Sequence, residues 1–221
     1  MRITLKHYYL IVDVETTSDD RVADFGAVVI DRKGNVAASL GVLIEGIFGS
    51  ADFHWALGNP KHTLRKYQGM VANGDRAIAT PAYVNRWLAE MAATFSPILT
   101  AYNVGFDWGK CRNTGIDLGI FPQRFDLLQA AKAVIVSTDD YAQACYENDW
   151  FTKGGKLSSK ADHVARFVDP TLPVEPHTAL EDARDYEGAI LAAIIANPTS
   201  REKLLAAGMA KNPSAKWMLG L

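Results

Sequence analysis

The sequence contains little cysteine and no long apolar run. Its 221 residues include two cysteines, Cys111 and Cys145, and neither lies in the CxxC spacing typical of a metal site. This excludes a disulfide framework and favours a reducing compartment, so we expect a cytoplasmic protein. The N-terminal residues do not resemble a secretory leader, and no apolar stretch reaches membrane-spanning length, so no association with a membrane is expected.

The sequence also lacks an excess of one charge. The formal net charge is −2, which argues against a protein that coats long nucleic acid through an extended basic surface. It does not exclude an enzyme that acts on nucleic acid, because acidic metal ligands lower the formal charge and bound cations reverse its local sign. Repeats, low-complexity segments and linkers are absent from the sequence. We therefore expect a single domain over residues 1–221, with a core at about 8–196 and a C-terminal tail at 198–221.

The order of the predicted elements indicates an α/β fold. Apolar, β-branched segments predict three sequential strands at residues 8–14, 21–31 and 36–44. Two shorter strands are expected at 98–102 and 124–127. Helices are expected at 80–95, 106–114, 127–136, 156–168 and 179–196, and residues 45–80 are expected to be irregular with a short helix at 63–67. Strands followed by alternating helices and strands predict a mixed sheet with helices packed on it.

The first candidate functional residues are Asp13 and Glu15, near the end of the first predicted strand. Side chains two residues apart on a strand point to the same face, so the two carboxylates are expected to be neighbours. Such a pair is costly unless a cation neutralises it, and oxygen ligands favour Mg²⁺ or Mn²⁺. The alternative is a strand end that enters solvent, where acidic residues are common.

The second group is Asn103, Phe106 and Asp107, directly after the predicted strand at 98–102. Asn103 is expected to cap the following helix or to fix the turn. Phe106 is expected to point inward, while Asp107 faces the strand ends. The alternative is a capped helix start without further function.

The third group surrounds the start of the helix at 179–196. Thr178 and Glu181 match a capping box, which places His177 in the preceding loop and Asp182 in the second helical turn. The small residues Ala179 and Ala183 would let this helix approach the sheet closely. An imidazole in such a loop suits a general base near neutral pH. The sequence is equally compatible with a solvent-exposed histidine without a catalytic role, followed by a helix whose first turn is acidic.

Together the three motifs resemble the DEDDh family of 3′→5′ exonucleases. The matching elements are Asp-x-Glu-Thr-Thr from Asp13, Asn-x-x-Phe-Asp from Asn103 and His-x-Ala-x-x-Asp-Ala from His177, in the same order and over residues 8–196. The resemblance implies a ribonuclease-H-like fold, which is an α/β fold with a mixed five-stranded sheet flanked by helices. It also implies two divalent cations, Mg²⁺ or Mn²⁺. Ser18 stands where the family usually has glycine, and Tyr102 where relatives often have histidine.

The resemblance also implies a role for each matched residue. It makes Asp13, Glu15, Asp107 and Asp182 the metal ligands, and His177 the catalytic base. Substrate contacts are implied for Thr16, Thr17, Asn103 and Phe106. The expected reaction is hydrolysis at the 3′ end of single-stranded or frayed DNA, which releases nucleoside monophosphates.

Several alternatives stay open at this point. The same chemistry on RNA, as in oligoribonuclease or RNase T, is the nearest one, because the sugar preference depends on contacts that the sequence does not locate. A non-catalytic nucleic-acid or polymerase-binding module is a more distant alternative. Association as a homodimer or with a polymerase or repair protein is also compatible with the resemblance. Residues 46–80 lack the family pattern, and their aromatic residues either stack on single-stranded substrate or pack internally.

Overall fold

A computed structural model describes residues 7–58 and 60–207. These residues form one six-stranded mixed sheet with helices on both faces. The strands are β1 Tyr8–Thr16, β2 Val22–Asp31, β3 Val36–Ile44, β4 Ala77–Ala79, β5 Ile98–Ala101 and β6 Arg124–Asp126. Their order across the sheet is β4-β3-β2-β1-β5-β6. β1, β2 and β3 form an antiparallel meander, whereas β5 and β6 continue the sheet in parallel from β1.

The helices include two that contain π-helical turns. They are α1 Ala51–Ala56, α2 Pro60–Asn73, α3 Pro81–Phe95, α4 Val104–Thr114, α5 Leu127–Ala131, α6 Asp139–Asn148, α7 Ala161–Val168, α8 Ala179–Glu181, α9 Gly188–Ala196 and α10 Ser200–Ala206. A π turn, Lys132–Val136, extends α5, and a second, Asp182–Glu187, joins α8 to α9. Across residues 7–58 and 60–207, no helix is long and apolar enough to cross a membrane.

The sheet separates two hydrophobic cores. Alternate residues of β1 point to opposite faces, so Tyr9 and Ile11 lie in one core and Leu10 and Val12 in the other. The first core packs against α5, α7 and α9, and the second against α2, α3 and α4. Both cysteines are buried and free, one in each core. The central strands are therefore covered on both sides, which leaves the carboxyl end of β1 as the place where polar side chains gather.

The helix that starts at α8 approaches the sheet very closely at Gly26 of β2. A Cβ atom at Gly26 would lie 2.1 Å from the carbonyl carbon of Ala179, so only glycine fits there. Ala179 and Ala183 are fully buried at this contact, as the small-residue pattern predicts. Because Asp13 is paired with Gly26 across the strands, this contact brings the start of the helix next to the acidic end of β1.

The structure corrects the expected elements in several places. The sheet has six strands rather than five, because β4 pairs with the outer edge of β3. This strand is apolar but only three residues long and largely exposed, so it is too short to show a strand pattern in the sequence. Residues 45–80 are mostly helical rather than irregular, and α6 was not expected. Residues 156–160 precede α7 rather than belong to it. Part of the expected tail is α10, and residues 208–221 lie outside the described part.

Candidate active site

Asp13 and Glu15 lie on the same side of β1, near its carboxyl end. Both are half-buried, and they alternate with the buried side chains of Val12 and Val14. Burial raises the pKa of Asp13 to about 8, with further contributions from the negative charges of Glu175 and Asp24. The pKa of Glu15 is also raised, first by burial and then by Asp13 and Asp182. The two carboxylates therefore belong to a larger cluster of acidic groups.

Asp107 joins this cluster from the first turn of α4. Its residue is 2% exposed, and its pKa is raised by burial first and then by the charge of Asp13. Asn103 starts the helix in the left-handed region, with φ 78°, and its side chain makes no capping hydrogen bond. The parallel pairing of β5 with β1 explains the placement, because the chain leaves β5 at the same edge where β1 ends.

The expected inward orientation of Phe106 is wrong. Phe106 is 45% exposed, and the Lys110 ammonium nitrogen lies 4.6 Å from the centre of its ring. Neighbouring helical residues point about 100° apart, and here Asp107 takes the inward direction. Phe106 is therefore an aromatic surface beside the acidic cluster.

Asp182 reaches the cluster from the π turn after α8. Its Oδ2 accepts a hydrogen bond of 2.8 Å from the backbone N–H of Thr178. Its Oδ1 is buried without a hydrogen-bond partner among the residues described. Burial, followed by the charges of Asp13 and Glu175, raises the pKa of Asp182 to about 9. The oxygen without a partner is available to a ligand.

The capping box expected at Thr178 is absent. The Thr178 hydroxyl makes no capping hydrogen bond to the helix, and Asp182 rather than Glu181 accepts from the Thr178 N–H. Glu181 instead forms an ion pair with Arg76. A sequence match to the capping pattern cannot anticipate a competing arginine that arrives from a distant segment.

His177 faces the cluster from the loop before α8. Its side chain is 68% exposed, and its backbone is in the left-handed region with φ 53°. Partial burial and then the positive charge of Lys66 lower the pKa of His177. A lowered pKa favours a neutral imidazole near pH 7, which is the form that can accept a proton.

Glu15, His177 and Asp182 come together in space. Each offers one ligand atom, and these three atoms all lie within 4.8 Å of one another. This spacing allows one cation to contact more than one of them. The structure thus unites residues from the first and third sequence motifs, which are more than 160 positions apart in the chain.

Three charged residues near the site were not identified from the sequence. Glu175 lies with Oε2 3.9 Å from His177 Nδ1, and burial raises its pKa to about 7. Lys66 of α2 donates a hydrogen bond to the Pro176 carbonyl and so anchors the loop that carries His177. Glu187 ends the π turn and is buried. An acidic residue just before the apolar sequence of α9 was the signal that could have pointed to Glu187.

A buried polar network holds α8 in place. Asp24 of β2 accepts hydrogen bonds from the Tyr67 hydroxyl at 3.0 Å and from the backbone N–H of Ala179 at 3.1 Å. Arg76 connects Asp24 to Glu181, and its side chain is almost completely buried. The network links the sheet, α2 and α8, and therefore fixes the position of His177 and Asp182 relative to β1.

The remaining predicted substrate residues lie at the end of β1. Thr16 is half-buried there, and Thr17 is buried. The Thr17 hydroxyl accepts a hydrogen bond from the Arg21 N–H at 3.1 Å and is within hydrogen-bonding distance of Asp19. Its hydroxyl therefore stabilises the loop after β1. Direct contacts of Thr16, Thr17, Asn103 and Phe106 with substrate stay a prediction.

The acidic cluster fits hard divalent cations. Carboxylate oxygens are the preferred ligands of Mg²⁺ and Mn²⁺. The buried oxygens Asp182 Oδ1 and Glu187 Oε2 have no hydrogen-bond partner in the described part of the chain. Burial first, and then the negative charges of neighbouring acids, raise the pKa values of Asp13, Asp107 and Asp182. A bound cation would relieve this repulsion.

The comparisons with known proteins show which type of fold the chain has. No protein-family model matches the chain, and no curated protein sequence matches it. The solved structures that match it include exonuclease I in complex with the inhibitor BCBP, with a TM-score of 0.57 and 15% identity, and apo exonuclease I, with a TM-score of 0.54 and 17% identity. They also include E. coli exonuclease I with a 5cy-dT13 oligonucleotide, with a TM-score of 0.56 and 17% identity. The fold is ribonuclease-H-like.

The same comparisons define how far the similarity extends. Each alignment covers 91% of this chain but only 45–47% of the matched chain. The ribonuclease-H-like region of this chain thus spans less than half of the length of those exonuclease I chains. The expected α/β fold is confirmed at this level.

Proposed function

We propose that the protein is a metal-dependent 3′→5′ exonuclease of the DEDDh type that acts on single-stranded or frayed DNA. The observation that carries the proposal is the convergence of Glu15, His177 and Asp182 within 4.8 Å, beside Asp13 and Asp107. The similarity to exonuclease I, including a structure with a bound oligonucleotide, supports the assignment and the preference for DNA.

The four acidic residues Asp13, Glu15, Asp107 and Asp182 would hold two divalent cations. When bound, such ions lower the pKa of water and neutralise the charge that develops on the leaving oxygen. Asp182 is suited to this role because the Thr178 N–H fixes one of its oxygens while the other has no partner in the described part of the chain.

His177 would act as the general base. Its imidazole is at the edge of the cluster and largely exposed, so it can reach a water molecule that approaches the scissile phosphate. The neutral ring would accept a proton from this water as the new P–O bond forms and the bond to the 3′ oxygen breaks. The exposed ring of Phe106 is available to stack on a base near the 3′ end.

The test is digestion of 5′-labelled single-stranded DNA and RNA of identical sequence, with Mg²⁺ or Mn²⁺ and with EDTA. We expect a ladder that shortens from the 3′ end of the DNA, abolished by EDTA. Asp13→Asn should lower the rate by about 10³-fold or more, because loss of a metal ligand removes several kcal/mol of transition-state stabilisation. Asp140→Asn, at an exposed position of α6, is the control and should match the wild type.

Each other outcome has a defined meaning. If the RNA is digested faster than the DNA, RNA rather than DNA is the preferred substrate. If both strands stay intact at high enzyme concentration with Mn²⁺, the nuclease proposal fails. Binding of the same strands without cleavage would then favour a nucleic-acid binding module.

A further inference from the structure

Glu187 is a buried carboxylate, and one of its two oxygens has no hydrogen-bond partner among the residues described. The residue is 2% exposed, and its Oε1 accepts a hydrogen bond of 3.2 Å from the backbone N–H of Tyr102. Its Oε2 is buried without a hydrogen-bond partner among residues 7–58 and 60–207. Leaving such an atom unsatisfied costs free energy, so a buried glutamate at this position needs an explanation.

The π turn directs Glu187 to the same side as Asp182. Residues five positions apart lie closer to one face in a π helix, where a backbone hydrogen bond joins i and i+5, than in an α-helix, where they point about 140° apart. The turn spans Asp182–Glu187, so these two acids are its first and last residues. Single π turns occur frequently at functional sites.

Glu187 also lies beside the second sequence motif. Tyr102, which holds Oε1, directly follows β5 and precedes Asn103. The charged groups that act most strongly on Glu187 are Asp13 and then Asp107, and both are negative. The Glu187 carboxylate therefore lies beside the acids of the candidate site, next to the end of β5.

A purely structural role does not account for this arrangement. The oxygen of a glutamine would accept the same hydrogen bond from the Tyr102 N–H without adding negative charge to the cluster, and a buried charge without a partner is strongly destabilising. A cation near Asp13, Asp107 and Glu187 would give Oε2 an interaction partner and would offset the repulsion among the three carboxylates.

We propose that Glu187 is a further residue of the metal site, whose Oε2 binds the divalent cation held by Asp13 and Asp107 through a water molecule. This inference rests on the proposed function, because it assigns a further residue to the same site. Glu187 would complete the coordination beside Tyr102, at the edge of the sheet where β5 ends.

The experiment compares metal-free wild type and Glu187→Gln by calorimetric titration with Mn²⁺ and by thermal unfolding. Glutamine keeps an acceptor for the Tyr102 N–H and removes the negative charge. We expect about tenfold or weaker Mn²⁺ binding, the loss typical when an outer metal-site carboxylate is removed. The metal-free variant should unfold at the same temperature as the wild type or higher. Glu90→Gln, at an exposed position of α3, is the matched control.

A merely structural role gives the opposite pattern. Glu187→Gln would then unfold at a lower temperature without metal and bind Mn²⁺ as tightly as the wild type, and this result would overturn the inference. If the glutamine variant does not fold, Glu187→Asp is the second variant. Aspartate keeps the negative charge, but its shorter side chain moves the carboxylate oxygens away from the proposed cation. This variant should therefore bind Mn²⁺ more weakly than the wild type. Unchanged binding would again overturn the inference.

Asp13→Asn, measured in parallel, separates this inference from the proposed function. If Asp13→Asn loses Mn²⁺ binding while Glu187→Gln retains it, only the role of Glu187 is wrong. If Asp13→Asn also binds Mn²⁺ like the wild type, the metal site and the proposed function both fail.

Discussion

At the scale of single residues, His177 provides a test of the proposed base that is independent of metal binding. General bases contribute about 10²–10⁴-fold to rate, so His177→Gln should lower kcat within that range. The pKa of His177 lies below its ordinary value, so the wild-type rate should decline on acidification only below about pH 6.5, as the imidazole becomes protonated. This acidic limb should disappear from the pH–rate profile of the variant.

The measurement is the rate of single-turnover cleavage between pH 5 and pH 8 at saturating Mg²⁺. Mn²⁺ affinity serves as the control and should change little, because His177 is assigned to proton transfer rather than to metal binding. An unchanged acidic limb in His177→Gln would show that another group accepts the proton, and Glu175, 3.9 Å from the imidazole, would be the next residue to substitute.

The sequence predicts individual site residues where strict local spacing places them. Asp13 and Glu15 are neighbours because alternate residues of a strand share a face. Asp107 lies in the first turn of α4, the helix that follows β5. Glu187 was missed because its position depends on a π turn, which has no clear sequence pattern. Glu175 and Lys66 were missed because they reach the site through loop and helix placements set by tertiary packing.

At the scale of elements, the close contact between β2 and α8 determines the geometry of the site. Gly26→Ala would place a Cβ 2.1 Å from the Ala179 carbonyl carbon, so α8 must move away from the sheet. We expect a loss of about 1–3 kcal/mol in the free energy of unfolding, and lower nuclease activity because His177 and Asp182 move with the helix. Urea unfolding and the cleavage assay measure the two effects.

The control for this substitution is Gly69→Ala in α2. An added Cβ at Gly69 meets no atom within 4 Å, and alanine favours helix by about 1 kcal/mol over glycine. Gly69→Ala should therefore be as stable as the wild type or more stable. Wild-type stability and activity in Gly26→Ala would contradict the view that this contact positions the site.

Elements with a clear local signature were predicted well, and those defined by their neighbours were not. The bounds of β3 match those expected, and α3 begins after Thr80, whose hydroxyl oxygen accepts from the Tyr83 N–H. β4 is recognisable only through its pairing with β3. The polar helix α2 is held at its sheet side by the buried Tyr67, which donates to Asp24. Its apolar residues Leu64, Tyr67, Met70 and Val71 recur at helical spacing, but they are few in a polar segment, so only residues 63–67 were expected to be helical.

At the scale of the whole molecule, the acidic cluster makes the stability of the metal-free protein depend on pH. Burial and mutual repulsion raise the pKa of Asp13 to about 8 and that of Asp182 to about 9, whereas in the unfolded chain carboxyl groups titrate near 4. Between these limits the folded state binds more protons than the unfolded state. The free energy of unfolding must then decrease as pH rises.

We therefore expect the protein in EDTA to have a lower urea midpoint at pH 9 than at pH 6, and Asp13→Asn to show a smaller decrease. Excess Mg²⁺ should raise the midpoint more at pH 9, because cations bind the ionised carboxylates. Equal midpoints at the two pH values in EDTA would mean that these acids are not coupled in the folded protein. If Mg²⁺ leaves the pH dependence unchanged, the acidic cluster lowers stability without binding the cation. The repulsion among the acids would then be real, but the proposed metal-dependent chemistry would lose its support.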